Sequence, residues 1–209
     1  MSLRIAILIF DRLTALDAIG PYEVLSRLPG SEVVFVAKEP GLKRTDTGRL
    51  GLNADAAIAD VRDPAIVLVP GGEGNRPLML DDEVLDWLRG AHETSTWTTS
   101  VCTGALVLGA AGILDAKRAT THWAYLDRLR ELGAEPVAER VVEDGKIITG
   151  AGVSAGLDMA LTLASRVSGE TVAQAIQLGI EYDPKPPFDT GSPDKAPPDL
   201  VELIRSSEG

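Results

Sequence analysis

The stretch TSTWTTSVCTGALVLGAAGIL at residues 94–114 contains Cys102, the only cysteine among 209 residues. Before Cys102 the sequence has the Thr, Trp and Val content of a strand, and after it a Gly/Ala/Leu-rich helical pattern begins. A strand that ends at Val101 and a helix that starts at Thr103 or Gly104 place the thiol on a tight turn. The stretch therefore predicts a strand-turn-helix unit with Cys102 at the turn.

The rest of the chain repeats this alternation of strands and helices. Short Val/Ile/Leu-rich runs, of the kind found in strands covered on both faces, lie at 4–10, 32–37, 65–70 and 96–101. Amphipathic patterns that indicate helices lie at 17–28, 81–93, 123–133 and 154–169. We therefore expect an α/β fold, with a mostly parallel sheet sandwiched by helices in a single domain over residues 1–209.

Two segments depart from this alternation. The sequence PVAERVVEDGKIITGAG at 136–152 predicts a hairpin that turns at Asp144-Gly145, because Asp-Gly is a strong hairpin signal. Between Thr45 and Asp60 we expect a weaker hairpin or an edge strand.

The C-terminal part of the chain has a different composition. Residues 182–200 are too rich in proline for a helix or a central strand, so we expect a Pro-rich tail over about 183–209. The tail either lies on the surface or forms a strap over an oligomer interface or an active-site rim. We favour the strap, because Tyr182 and Phe188 give it apolar anchors.

Charge and hydropathy exclude several classes of protein. The net charge is −11 and no Lys/Arg cluster is present, so nucleic acid is not an expected partner. The apolar run at 4–10 is interrupted by Asp11 and Arg12, well short of a membrane span. We expect a cytoplasmic protein that does not bind membranes, with 4–10 as its first buried strand.

The supply of metal ligands is small. One cysteine forms neither an internal disulfide nor a multi-thiolate zinc site, and His92 and His122 are the only histidines. We expect no metal site, so any chemical role of Cys102 is nucleophilic or redox.

Cys102 itself has two interpretations. A lone cysteine in an α/β protein is often only a small buried hydrophobe. Its position before a helix favours a reactive role, because the unpaired N–H groups and positive potential of a helix N-terminus stabilise a thiolate. The turn also lies above the carboxyl ends of the parallel strands, where α/β folds bind ligands.

Other residues are expected at the same edge of the sheet. Gly71 and Gly72 follow a buried strand, and their N–H groups either form an ordinary turn or face an anion beside the sulfur, as in an oxyanion hole. Asp17 either caps the first helix or exchanges a proton with Cys102, and both roles can coexist.

Two further polar residues have open roles. Thr103 either caps the helix that follows it or offers its hydroxyl to the site. His122 is structural or, less favoured, orients or deprotonates the thiol.

Several stretches together resemble the ThiJ/PfpI superfamily, which has a flavodoxin-like fold. The resemblance covers nearly the whole chain. It is carried by LTALDAIGPYEVLSRLPG (13–30), VPGG (69–72), SVCTGALVLGAAGILDAKRATTHW (100–123), GAGVSAGLDMAL (150–161) and EYDPKPPFDTGSP (181–193).

This resemblance implies specific roles. Cys102 would be the nucleophile, Asp17 its acid/base partner, and Gly72 with Thr103 donors near the sulfur. Thr103 stands where the protease and glyoxalase-like branches usually have histidine, and Asp17 where they have glutamate, which points to the branch that hydrates isonitriles to N-substituted formamides. No cofactor is implied.

The resemblance also suggests the surroundings of the site and an assembly. Loops near Asp17, Glu73 and Val153 are expected to form the pocket walls, with Val153 and His122 as supporting residues. The substrate would be a small isonitrile, and a homodimer is expected.

Two alternative functions remain open from the sequence. Cys102 could act as an oxidative-stress sensor that forms a sulfenic or sulfinic acid without turning over a substrate. Alternatively, the chain is a small-molecule binding module of the same superfamily in which the cysteine is idle.

Overall fold

The chain folds into a sheet flanked by helices, as a computed structural model that describes residues 3–207 shows. The strands are β1 Leu3–Leu8, β2 Ser31–Ala37, β3 Gly41–Arg44, β4 Gly51–Ala54, β5 Ala56–Ala57, β6 Ile66–Val69, β7 Trp97–Val101, β8 Arg118–Ala119, β9 Glu135–Pro136, β10 Val141–Asp144 and β11 Ile147–Gly150. The α-helices are α1 Ala15–Leu25, α2 Asn75–Leu78, α3 Asp82–Thr94, α4 Gly104–Ala110, α5 Leu126–Glu131, α6 Ala155–Ser168, α7 Glu170–Gly179 and α8 Pro198–Ser207. Short 3-10 turns lie at Ile58–Asp60 and Trp123–Tyr125.

Seven strands form the main sheet, in the order β10-β11-β7-β6-β1-β2-β5. All neighbouring pairs are parallel except β10 and β11. Helices α1, α6 and α7 pack as one group and α3, α4 and α5 as another. The predicted α/β fold with a mostly parallel sheet is therefore confirmed, and the carboxyl ends of β1, β6 and β7 lie side by side.

Burial explains why the apolar runs form the centre of this sheet. Every residue of β6 is buried, and β1 is fully buried from Ile5 to Leu8. Strands covered on both faces by helices need apolar residues at consecutive positions, which is the pattern of these runs. The predicted strand at 4–10 ends earlier in the structure, at Leu8, but Ile9 and Phe10 after it are also buried in the core.

The predicted helices are present, with small shifts at their ends. The pattern at 123–133 begins with the 3-10 turn and becomes α5 only at Leu126. The predicted helical patterns 123–133 and 154–169 each end on a glycine, and these two residues, Gly133 and Gly169, have φ of +90° and +87°. Glycine adopts this left-handed region without strain, so both helices end where the sequence predicts.

Both predicted hairpin segments are present with shifted limits. Strands β10 and β11 are antiparallel, and their two turn residues are Gly145 and Lys146, one position later than predicted. The weaker hairpin consists of β3 and β4, so it begins at Gly41, before the predicted segment. The edge strand offered as the alternative exists as well, because β5 closes the main sheet beside β2.

The Pro-rich tail is partly as predicted. Its residues 183–197 contain no helix or strand, but α8 begins at Pro198, where the missing proline N–H costs nothing because it lies in the first helical turn. The Tyr182 hydroxyl donates to Asp158 Oδ2 at 3.1 Å and anchors the start of the tail. Phe188 is 76% exposed and does not anchor the tail to the rest of this chain, so its role at an oligomer interface stays a prediction.

The tail reaches the segment that follows His122. The Arg205 guanidinium of α8 lies 5.7 Å from the centre of the Trp123 ring. A groove of about 250 Å³ between Trp123 and the tail is also lined by Leu200 and Ile204. The tail therefore packs beside the polypeptide that carries His122.

A glycine at the start of α4 lets this helix approach β6 closely. A Cβ atom on Gly104 would lie 2.1 Å from the carbonyl oxygen of Val69, which is far inside contact distance. At Gly90, in the middle of α3, a Cβ would meet no atom within 4 Å apart from the neighbouring residues and backbone of its own helix.

We expect Gly104→Ala to lower the free energy of unfolding by several kcal/mol, because backbone has to move to accommodate the methyl group. The matched control Gly90→Ala should raise it by about 0.5–1 kcal/mol through helix propensity. Urea unfolding of both variants checks this. Equal effects of the two substitutions would contradict the close approach of α4 to β6.

Candidate active site

Cys102 lies at the turn between β7 and α4, in a strained backbone conformation. Its φ is +56°, a left-handed value that costs a non-glycine residue free energy. The surrounding backbone fixes this conformation: the Cys102 N–H donates to the carbonyl oxygens of Gly150 and Ala151 at 3.0 and 2.7 Å. The Cys102 carbonyl accepts a hydrogen bond from the Thr121 hydroxyl at 2.8 Å. The predicted tight turn is therefore confirmed.

Asp17 lies in the first turn of α1, directly beside the turn that carries Cys102. It is fully buried, and its Oδ2 accepts a hydrogen bond from the Gly71 N–H at 2.9 Å. It does not cap α1, whose N-terminal residues have no side-chain cap. Its other predicted role, proton exchange with Cys102, stays a prediction, and the two side chains lie close together around Gly71.

Gly71 makes this contact possible. A Cβ atom on Gly71 would lie 2.7 Å from Asp17 Oδ2 and 2.8 Å from Cys102 Cβ. Any other residue here would push the carboxyl group and the thiol apart. The close approach of the two groups therefore depends on a glycine in the loop after β6.

Burial dominates the acid-base properties of the pair. It raises the pKa of Asp17 from 3.8 to about 7, although hydrogen bonds from Gly71 and Cys102 act in the opposite direction. Burial and the negative charge of Asp17 also raise the pKa of Cys102 well above its usual range. Donors from Thr103 and Val153 lower it, but by less.

The expected effect of the helix N-terminus on the thiol is thus present but smaller than the effect of burial. Protonation of Asp17 removes the negative charge beside the sulfur and leaves the donors of Thr103 and Val153 in place. A neutral Asp17 and a Cys102 thiolate therefore favour each other, as do the carboxylate and the thiol.

Thr103 connects the cysteine turn to the glycine turn after β6. Its hydroxyl oxygen accepts hydrogen bonds from the Gly72 N–H at 3.0 Å and from Asn75 Nδ2 at 2.9 Å. It makes no cap to α4, and the role of its hydroxyl in the site stays a prediction. Asn75 was missed by sequence reasoning, although its position just after the glycine turn at the carboxyl edge of the sheet is a usable signal.

Gly71 and Gly72 act differently from the prediction. Their N–H groups point to Asp17 and to Thr103, not to the space beside the sulfur. The assignment of both glycines as direct oxyanion donors is therefore corrected, because these two side chains already occupy the N–H groups. Gly72 has φ of +132°, and a Cβ there would lie 2.5 Å from the Arg12 carbonyl oxygen, so two loops also cross closely at this glycine.

A pocket of about 390 Å³ opens above Cys102. Its apolar walls include Met79, Leu106, Tyr125 and Val153. Val153 was predicted as a supporting residue, and its N–H lowers the pKa of Cys102. The pocket is large enough for a small organic molecule, and Cys102 forms part of its lining.

The mouth of the pocket is charged. Arg12 and Glu73 form an ion pair across it, and the Thr14 hydroxyl donates to Asp46 Oδ2 at 3.0 Å. His122 lines the same pocket, with its ring 6.0 Å from that of Tyr125. Its catalytic role stays a prediction.

Within residues 3–207, no group of three or more His, Cys, Asp or Glu side chains is arranged to hold a metal ion. In the same range no helix has the length and apolarity needed to cross a membrane.

A family model matches residues 3–166 of this α/β chain, including the cysteine elbow and its carboxyl partner. The chain belongs to the DJ-1/PfpI family. The resemblance predicted from the motifs is thereby confirmed. Within the DJ-1/PfpI family, a protein named isonitrile hydratase from Pseudomonas putida is 49% identical over 205 residues, which are 98% of this chain and 90% of that protein.

Solved structures of DJ-1/PfpI proteins agree with the fold. A ThiJ/PfpI family protein from Pseudomonas syringae superposes with a TM-score of 0.96 at 36% identity, over 99% of this chain and 86% of that one. DJ-1beta from Drosophila melanogaster gives a TM-score of 0.80 at 22% identity, over 87% and 98% of the two chains. The second likeness bears on the fold alone.

The buried carboxyl group makes stability depend on pH. Because the pKa of Asp17 is about 7 in the folded state and 3.8 in the unfolded state, the unfolded chain loses this proton first as pH rises. The contribution of Asp17 to the free energy of unfolding therefore falls between about pH 4 and pH 7.

Asp17→Asn should remove this pH-dependent fall in the free energy of unfolding. The free energy of unfolding of the variant, relative to wild type, should rise by on the order of 4 kcal/mol from pH 4 to pH 7. Urea unfolding at both pH values measures it. A difference that does not change with pH would show that Asp17 is ionised in the folded protein at neutral pH.

Proposed function

We propose that the chain is an isonitrile hydratase, which adds water to R–N≡C and releases the N-substituted formamide R–NH–CHO. The observation that carries this proposal is the 49% identity to the Pseudomonas putida isonitrile hydratase over 98% of the chain. The buried pair of Cys102 and Asp17 beneath a small pocket supplies a nucleophile and a proton carrier for this reaction.

The first step forms a bond between sulfur and carbon. The Cys102 thiolate attacks the terminal carbon of the isonitrile while Asp17 is in its acid form, and Asp17 gives its proton to that carbon. The product is an enzyme-bound thioimidate, S–CH=N–R, beside an Asp17 carboxylate. The raised pKa of Asp17 supports this step, since it keeps a proton available near neutral pH.

The second step adds water and releases sulfur. The Asp17 carboxylate takes a proton from water as the oxygen bonds to the thioimidate carbon, and passes that proton to the nitrogen. The resulting S–CH(OH)–NH–R collapses to the formamide. Its hydroxyl proton returns to Asp17, and the thiolate leaves, which restores the starting state.

The donors around the sulfur support the same scheme. The N–H groups of Thr103 and Val153 and the Thr103 hydroxyl stabilise the thiolate before attack and after release. Gly71 and Gly72 contribute through Asp17 and Thr103, whose orientations they fix. A homodimer and a cytoplasmic location, both implied by the sequence, remain predictions.

Cys102→Ala should abolish formamide production, because no other thiol is present in the chain. The measurement is formamide release from cyclohexyl isonitrile, followed by chromatography, with circular dichroism to check the fold. Turnover by the folded variant would overturn the cysteine mechanism. No turnover by reduced wild-type protein, tested with isonitriles of several sizes, would instead overturn the proposed function.

Asp17→Asn should lower kcat by about 10²–10⁴-fold, because the amide neither gives nor takes the proton. Asp46→Asn is the matched control, since Asp46 is a carboxylate that lines the same pocket and has no role in the two steps. Its kcat should change less than about tenfold. Equal losses in the two variants would indicate that only the negative charge of the pocket matters.

A further inference from the structure

Asn75 has no role in the two proposed steps, but its buried side chain contacts one of the residues of the site. Only 2% of Asn75 is exposed, it lines the pocket, and its Nδ2 donates to the Thr103 hydroxyl oxygen at 2.9 Å. The same oxygen accepts the Gly72 N–H at 3.0 Å. Two donors from the loop after β6 therefore converge on one hydroxyl group.

A hydroxyl group can make only a limited number of hydrogen bonds, and this limit fixes what the Thr103 proton can do. A threonine hydroxyl has two acceptor lone pairs and one proton to donate. Asn75 and Gly72 occupy both lone pairs, so the remaining interaction of Thr103 is donation of its proton. Cys102 precedes Thr103 in the chain and lines the same pocket, so its sulfur is an acceptor for that proton.

We propose that Asn75 is a positioning residue, which together with the Gly72 N–H fixes the Thr103 hydroxyl as a hydrogen-bond donor to the Cys102 sulfur. Without Asn75, the hydroxyl keeps a vacant lone pair and turns away from the sulfur for part of the time. The thiolate then loses a donor that offsets the cost of burial. The pKa of Cys102 rises further, and less thiolate is present at neutral pH.

The oxygen of the Asn75 amide argues against a purely structural role for this residue. Asn75 Oδ1 is buried and has no hydrogen-bond partner among residues 3–207. A buried acceptor without a partner is unfavourable, and an apolar side chain of similar size avoids that cost. Asn75 is therefore poorly suited to stabilise the fold, whereas its Nδ2 group donates to the Thr103 hydroxyl oxygen.

The proposal rests on the proposed role of Cys102 as a nucleophile, but its test needs no isonitrile. The rate of Cys102 alkylation by iodoacetamide is measured from pH 5 to pH 10, because this rate follows the fraction of thiolate. The proteins are wild type, Asn75→Leu, Thr103→Val, Thr103→Ser, and Asn75→Leu combined with each Thr103 variant. Thermal melts accompany every measurement.

We expect Asn75→Leu to slow alkylation at neutral pH by roughly fivefold, the value of one ordinary hydrogen bond, and to move the pH profile upward. In the Thr103→Val background the same substitution should change the rate less than about twofold, because no hydroxyl is left to orient. In the Thr103→Ser background the full effect should return. The melting temperature of Asn75→Leu should stay at or above that of the wild type.

Two results would overturn the proposal. One is an unchanged alkylation profile for folded Asn75→Leu. The other is an equal loss with and without the Thr103 hydroxyl, which would mean that Asn75 acts on the sulfur by another route. If wild type is alkylated as expected but hydrates no isonitrile, only the proposed function fails.

Asn75→Asp is the second variant, for the case that Asn75→Leu does not fold. Its carboxylate has nearly the same shape as the amide but only accepts hydrogen bonds, so it draws the Thr103 proton away from the sulfur. We expect a larger loss of alkylation than with Asn75→Leu. Part of this loss should disappear in the Thr103→Val background, leaving only the effect of the added charge. Undiminished alkylation by Asn75→Asp would also overturn the proposal.

Discussion

The contact between a buried carboxyl group and a buried thiol is the constraint on which the rest of this site depends. Asp17 comes from the start of α1 and Cys102 from the end of β7, and Gly71 lies against both side chains. In water, an aspartic acid has lost its proton well below neutral pH and has none to give. Burial raises the pKa of Asp17 toward neutrality and so makes the carboxyl group a usable proton carrier.

This arrangement has a structural cost that the fold has to offset. A left-handed cysteine and a desolvated carboxyl group are each unfavourable, and neither would persist on a flexible loop. The hydrogen bonds from the Cys102 N–H to the carbonyl oxygens of Gly150 and Ala151 hold the left-handed cysteine. The Gly71 N–H holds the Asp17 carboxyl group. The rigid parallel sheet therefore does more than carry the site, because it maintains two local conformations that are unfavourable alone.

The features that could be predicted from the sequence are those that local pattern determines. The apolar runs gave the central strands, and the change of pattern at Cys102 gave the elbow. The position of Asp17 after β1 gave its place at the same sheet edge. Asp17 could be placed there because parallel neighbours end at one edge, whatever the details of packing.

The features that were missed depend on contacts distant in sequence. The thiol was expected to benefit from its helix N-terminus, but burial, which no local pattern states, has the larger effect on its pKa. The N–H groups of Gly71 and Gly72 were expected beside the sulfur, but their partners are side chains 54 and 31 positions away. Asn75 escaped notice because a single amide has no periodicity. The tail helix was missed because the proline-rich stretch before it was taken to continue to the end of the chain.

The two edge strands of the main sheet limit how copies of this chain can associate. An open strand edge invites pairing with another strand, in functional assembly or in aggregation. One edge here is β5, with only two residues, and the other is β10, four residues long and ending in Glu143 and Asp144. Arg166 pairs with Glu143, and the Asp144 carboxylate accepts the Arg118 N–H, so the β10 edge is also engaged by side chains. Association by continuing the sheet from one molecule to the next is therefore disfavoured, and helices and loops are the surfaces through which this protein can contact its neighbours.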